Sequence, residues 1–146
     1  PIYFVHSSLP NCNAMPHHST ELSIAARFAE LSGLLDSLSA QAACLGVSAN
    51  DVSRIQLVVE ELVSNSITHG YGEESDQLLT VALHARPDGV TLVFGDQAPP
   101  FDLSRMTASD PDEDQIGGLG INLILGFARQ IRYQRVNNSN ITEIDL

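Results

Sequence analysis

Apolar and polar positions change period several times along the chain, and each change predicts an element. Residues 2–6, IYFVH, form a short apolar run that predicts a strand, followed by the turn-like NCNAMPHHST. Pro16 precedes a helix start there, with Thr20 as its N-cap. From Leu22 to Leu45 the positions Leu22, Ala25, Ala26, Ala29, Leu31, Leu34, Leu35 and Leu38 follow helical spacing, which Gly46 can end. Ser48 and Asp51 have the form of a capping box. It opens a second helix with Ile55, Val59, Leu62 and Val63 on its apolar face, ending near Gly70 and Gly72.

Residues 78–86, LLTVALHAR, alternate as a strand; Pro87-Asp88-Gly89 is a turn, and VTLVFGD completes a hairpin. Residues 97–119 carry Pro99, Pro100, Pro111, Gly117 and Gly118 and predict a long loop, of the kind that is either a functional lid or a disordered segment. GINLILGFARQ then predicts a helix, IRYQRV a strand, NNSN a turn and ITEIDL a last strand. The order β-α-α-β-β-α-β-β predicts an α+β two-layer sandwich, with helices on one face of a mostly antiparallel sheet. Residues 1–146 form one domain on this reading, of which 1–20 are an N-terminal strand and loop.

Composition narrows the function classes. The chain is 43% hydrophobic and 17% charged, ordinary usage for a globular protein. A formal net charge of −11 argues against binding nucleic acid or an anionic membrane. All seven basic residues are Arg. With no Lys there can be no P-loop, no ordinary protein-kinase strand lysine and no Schiff-base lysine. Cys12 and Cys44 are far apart without a CxxC pattern, so free thiols are expected. PIYFVHSSLP lacks the basic start and long apolar middle of an export signal, so the expected location is the cytoplasm.

Three features can carry chemistry. In VVEELVSNSITHGYG, residues 58–72, Glu61, Asn65 and His69 recur every four positions. Each step of four advances only ~40° on an α-helix, so they form one slanting polar stripe. Asp96 ends an apolar strand, and GGLG, residues 117–120, precedes a helix. Singly, these read as a solvated helix edge, a turn residue and loop flexibility. Together they have a common logic. A helix N-terminus with glycines is a ready anion site. Without Lys, triphosphate charge calls for a metal, and Mg²⁺ takes one or two protein oxygens, such as an Asn carbonyl. A carboxylate one turn earlier can orient or deprotonate an attacking hydroxyl or water.

E-L-x-x-N-x-x-x-H-G, D-x-x-P-P-F-D and G-G-x-G-I-x-L-I, in that order, resemble the GHKL (Bergerat-fold) ATPase superfamily. The compact length, the HGYG ending and the PPFD segment resemble its anti-sigma-factor serine/threonine kinases, the switch kinases of bacterial partner-switching systems. The resemblance covers about Glu21 to Leu146. It implies ATP and Mg²⁺ as cofactors, with 97–119 as the ATP lid. Glu61 resembles the general base, and Asn65 the Mg²⁺ ligand. His69 and Gly70 sit where the helix ends over the nucleotide, and Asp96 resembles the adenine-binding acid. Gly117, Gly118, Leu119 and Gly120 fall in the glycine motif of the lid, and Arg105 lies in the lid, where a family arginine can reach phosphate. Where the family commonly has D-x-G, this chain has Asp96-Gln97-Ala98; the added methyl introduces strain if the position requires positive φ. The family's strand Thr or Ser near the adenine is not assigned to Thr142.

The resemblance implies a kinase that phosphorylates a STAS-type anti-anti-sigma protein and otherwise holds a sigma factor or comparable regulator. Family members form homodimers, although no interface is readable here. A second reading, motivated by Ala98, is a non-catalytic partner-binding regulator with weak or structural nucleotide binding. A third, a detached histidine-kinase catalytic domain, is disfavoured because His17 and His18 lie in a Pro-flanked loop and not on a dimerisation helix.

Overall fold

The computed structural model describes residues 3–4, 19–108 and 118–146. Strands β1 (Tyr3–Phe4) and β2 (Ser19–Ala25) lead into helices α1 (Phe28–Cys44) and α2 (Ala49–Asn65). The last turn and a half of the second helix, Ser66–Tyr71, is wound as a π-helix. Then follow β3 (Leu78–Arg86), β4 (Gly89–Asp96), a 3₁₀ turn at Leu103–Arg105, α3 (Gly118–Phe127), β5 (Gln130–Val136) and β6 (Ser139–Asp145). Six described strands form one sheet in the order β1-β2-β3-β4-β6-β5, every neighbouring pair antiparallel. The α+β sandwich read from the sequence is the architecture found.

The core lies between the helices and one face of the sheet. Leu22, Ile24, Leu79, Val81, Leu83, Leu92, Phe94 and Ile144 from the strands pack with Leu34 and Leu38 of α1 and Ile55, Val58, Val59 and Val63 of α2. Burying apolar area of this kind is the main driving force for folding.

The start of α1 corrects the sequence reading. A helix from Leu22, capped by Thr20, is not formed: residues 19–25 are a strand paired along its whole length with β3. Leu22 and Ile24 share one face of the strand and Ser23 and Ala25 the other, and all four are buried, so exposure carries no period of two to set the strand apart from the helical pattern that follows. The true helix start has no local capping signal, because Arg27 makes no side-chain cap. Glu74, 46 residues further on, supplies it by accepting a 2.7 Å hydrogen bond from the Phe28 N–H. The same segment holds the bend through Ala26 N–H to Gln77 O and Ser75 N–H to Ala26 O, at 2.8 and 2.9 Å.

The remaining boundaries follow local chemistry. Gly46 ends α1 with φ +78°. Ser48 caps α2, accepting from the Asp51 N–H at 3.2 Å and donating to the Asp51 carboxylate at 2.7 Å. Gly72 closes the π-wound turn at φ +81°. Within the predicted loop, Asp102 accepts from the Ser104 N–H at 3.0 Å and nucleates the short 3₁₀ turn. The expectation of free thiols is not met at Cys44, which is disulfide-bonded, and Cys12 lies outside the described residues. The expectation of a reducing compartment loses the support it drew from free thiols.

On the sheet face away from the helices, Asp145 ties four strands together. Its carboxylate accepts from Thr91 Oγ at 2.7 Å, Arg86 Nη1 at 3.0 Å and both terminal nitrogens of Arg132 at 2.7 and 3.0 Å. The Arg132 hydrogen bonds, helped by Thr91 and the charge of Arg86, hold this buried carboxyl well below the usual carboxylate range despite its desolvation.

Candidate nucleotide site

A cavity of ≈ 350 Å³ opens between the end of α2, β4, the segment after β4, and α3. That volume lies in the range of small-molecule sites. Its walls are largely apolar: Leu62, Phe94, Ile121 and Ile124 on the core side, and Pro99, Pro100, Phe101, Leu103 and Met106 from the connecting segment. Polar groups enter at a few places, namely Asn65, Ser66, His69, Asp96, Asn140 and Thr142.

The helix places its polar stripe as its spacing predicts, with a division. Asn65 and His69 line the cavity, while Glu61 sits beside it against the first turn of α3. A side chain at Gly120 would collide with the Glu61 carboxylate, so the glycine is what admits this approach. Negative charge at a helix N-terminus is favourable, because the first N–H groups there lack helical partners. π-Winding from Ser66 onward sets Ser66, His69 and Gly70 on the cavity wall together with Asn65. Such insertions recur at functional sites.

Asp96 ends β4 and is held from three sides. Its Oδ1 accepts from the Ala98 N–H at 3.0 Å and from Asn140 Nδ2 at 2.7 Å; its Oδ2 accepts from Ser66 Oγ at 2.7 Å. The following residue is fixed as well, because the Gln97 N–H donates to the Tyr71 hydroxyl at 2.8 Å. Burial pushes the Tyr71 phenol above its ordinary value, opposed by that N–H and reinforced by the Asp96 charge.

Ala98 stands where the resemblance expects glycine. It is not among the described residues with positive φ, so the feared backbone strain is absent. The residue is 3% exposed and its methyl faces Gly70, where a Cβ would stand only 2.8 Å from Ala98 Cβ. The missing side chain at Gly70 accommodates the extra methyl at Ala98.

Other predicted site residues are placed differently. Arg105 does not line the cavity; it is 86% exposed and paired with Asp102 at 3.1 Å. Leu119 points outward at 78% exposure, while Gly118 opens α3 and Gly120 is buried. Gly117 lies outside the described residues. Ser66, Asn140 and Thr142 were not assigned from the sequence. Thr142 is inside the cavity because β6 pairs with β4 in the register Phe94↔Thr142 and Asp96↔Asn140, which no local pattern announces. Among the described residues no group of three or more His, Cys, Asp or Glu could cage a metal. An Asn carbonyl on the cavity wall instead suits Mg²⁺ held mostly by phosphate and water.

Residues 24–146 match the model of the histidine kinase-like ATPase domain. The chain belongs to this family. The match covers every described element from late β2 onward, and the GHKL resemblance read from the three motifs stands. Two curated relatives are serine-protein kinases RsbW. That of Listeria innocua is 30% identical over 96 residues, covering 60% of this chain and 61% of the relative. That of Bacillus velezensis is 26% identical over 113 residues, covering 72% and 69%. The matched stretch therefore spans about three fifths of the Listeria protein's length. No described helix of this ATPase domain is long and apolar enough to cross a membrane.

Proposed function

We propose that this ATPase domain is a protein serine/threonine kinase that uses ATP and Mg²⁺ and acts as an anti-sigma factor in a bacterial partner-switching pathway, in the cytoplasm. Its substrate is a STAS-type anti-anti-sigma protein, and its alternative partner a sigma factor or comparable regulator. The observation that carries the reading is the cavity with Asp96 on one wall and Asn65 on another, and with Glu61 beside the N-terminus of α3. The names of the two relatives support the choice of serine as acceptor.

In this reading Asp96 accepts a hydrogen bond from the exocyclic amine of adenine, and the apolar walls enclose the ring. Asn65 would hold Mg²⁺ through its side-chain carbonyl, and the bound ion would supply positive charge beside the phosphates. The first turn of α3 offers N–H groups to the phosphates, a role that no lysine can share here. Glu61 takes the proton of the acceptor serine as its oxygen bonds to phosphorus and the bond to the ADP oxygen breaks. His69 and Gly70 close the end of the helix over the site. Arg105 reaches phosphate only by leaving Asp102.

Incubation with radiolabelled ATP, Mg²⁺ and a purified STAS protein from the same genome tests the reading. Label on a serine or threonine of that protein is the expected result. Nucleotide binding without transfer to any STAS protein of the genome would discard the kinase and favour a non-catalytic binding module.

A further inference from the structure

Asn140 was part of a predicted turn, yet it is one of the most fully bonded side chains in the described structure. It is 4% exposed, lies on the cavity wall and stands opposite Asp96 across the β4–β6 ladder. Its amide nitrogen donates to Asp96 Oδ1 at 2.7 Å, Pro99 O at 3.1 Å and Ala98 O at 3.2 Å. Its carbonyl oxygen accepts from Arg135 Nη1 and the Tyr133 hydroxyl, both at 2.8 Å. Chemistry fixes this orientation: a guanidinium can only donate, so it must face the oxygen, and backbone carbonyls can only accept, so they must face the nitrogen.

Each Asp96 oxygen can accept about two hydrogen bonds. Oδ1 already has two, from Ala98 and Asn140, whereas Oδ2 has one, from Ser66. Asp96 therefore keeps one free acceptor position, and the side chain lines the cavity. Asn140 also binds the carbonyls of Ala98 and Pro99, the backbone that follows the acid, and Arg135 Nη1 adds a second clasp on Ala98 O at 2.8 Å. Free rotation of the carboxylate would blur which lone pair faces a ligand; this network prevents it.

We propose that Asn140, held by Arg135 and Tyr133, is the positioning residue that orients Asp96 to discriminate 6-aminopurine from 6-oxopurine nucleotides. The inference rests on the nucleotide reading above. An amine donates to the remaining lone pair of Oδ2, whereas a 6-oxo group would place an acceptor against it. Asn140 acts through Asp96 and through the backbone of 98–99, and its contribution is to selectivity.

The test is calorimetric titration of the full chain with ATP and with GTP, each with Mg²⁺, for the wild type, Asn140→Ala and the near-isosteric Asn140→Asp. Loss of a hydrogen bond to a charged group is expected to lower the ATP-over-GTP affinity ratio by about tenfold in Asn140→Ala. Asn140→Asp should lower it at least as far, because it keeps the volume but turns a donor into a second carboxylate beside Asp96. A packing role would weaken both nucleotides alike and leave the ratio unchanged, which overturns the proposal. If either Asn140 variant fails to fold, Arg135→Gln and Tyr133→Phe decide. They remove donors to the Asn140 carbonyl from the edge strand, and the ratio should fall by about threefold, as expected for weaker orienting bonds. An unchanged ratio in both also overturns it. Wild-type protein that binds neither nucleotide overturns the nucleotide reading and this inference with it. Wild-type protein that prefers ATP, with variants that keep its ratio, overturns this inference alone.

Discussion

Gly70 and Ala98 fit each other: a β-carbon on Gly70 would lie 2.8 Å from the methyl of Ala98, closer than side-chain carbons pack. Gly70→Ala should therefore destabilise the protein by about 1–3 kcal/mol, the usual cost of overpacking. In an Ala98→Gly background the same substitution should cost little, since alanine is otherwise preferred over glycine in helical backbone by roughly 0.5–1 kcal/mol. Urea denaturation of the wild type, both single variants and the double variant closes this cycle. Equal cost of Gly70→Ala in the two backgrounds would remove Ala98 as the cause.

Glu61 and Gly120 form a second such pair. Glu61→Gln should retain ATP binding within a fewfold while phosphotransfer falls by about 10²–10⁴, the range for loss of a positioned base. Gly120→Ala should also impair transfer, because its methyl displaces the carboxylate. Single-turnover transfer alongside equilibrium nucleotide binding separates these effects. Glu61→Gln with unaltered transfer would remove Glu61 from the chemistry.

Acid sensitivity should centre on Asp145. Its folded-state pKa is lowered, chiefly by Arg132. A depressed acid contributes stability that is present above its unfolded pKa, about 3.9, and is lost as pH falls below that value toward the folded one. Asp145→Asn should cost about 2 kcal/mol at neutral pH, since it removes a buried charged partner of Thr91 and two arginines. The variant should also flatten the stability profile below pH ~4, where protonation already removes that contribution in the wild type. Chemical denaturation at several pH values measures both.

The β5–β6 turn offers a stabilising change. Asn137 and Asn138 have φ of +48° and +65°, a two-residue hairpin turn between the paired Val136 and Ser139. Asn138→Gly should hold or raise the melting temperature, while Asn138→Val should lower stability by about 1 kcal/mol or more through strain at positive φ. Thermal unfolding followed by circular dichroism checks the order.

Elements whose signals are local were legible. The Ser48–Asp51 capping box and the hairpin turn at 87–89 each involve residues within four positions of one another and are found where their patterns place them, and the turn read over NNSN is found but narrows to Asn137 and Asn138, with Ser139 and Asn140 in β6. The start of α1 was misread because its cap comes from Glu74 and its preceding strand is defined by β3.

For the site, the sequence by itself determined the helix stripe with Glu61 and Asn65, the acid ending β4 and the glycines opening α3. Helical period, strand ends and missing side chains are properties of neighbouring residues. Only the tertiary structure decided that Glu61 meets Gly120, that Ala98 is received by Gly70, and that Asn140 and Thr142 enter the cavity. The entry of Asn140 and Thr142 depends on which strand lies beside β4 and in what register, and a slip of one residue would turn both to the other face of the sheet.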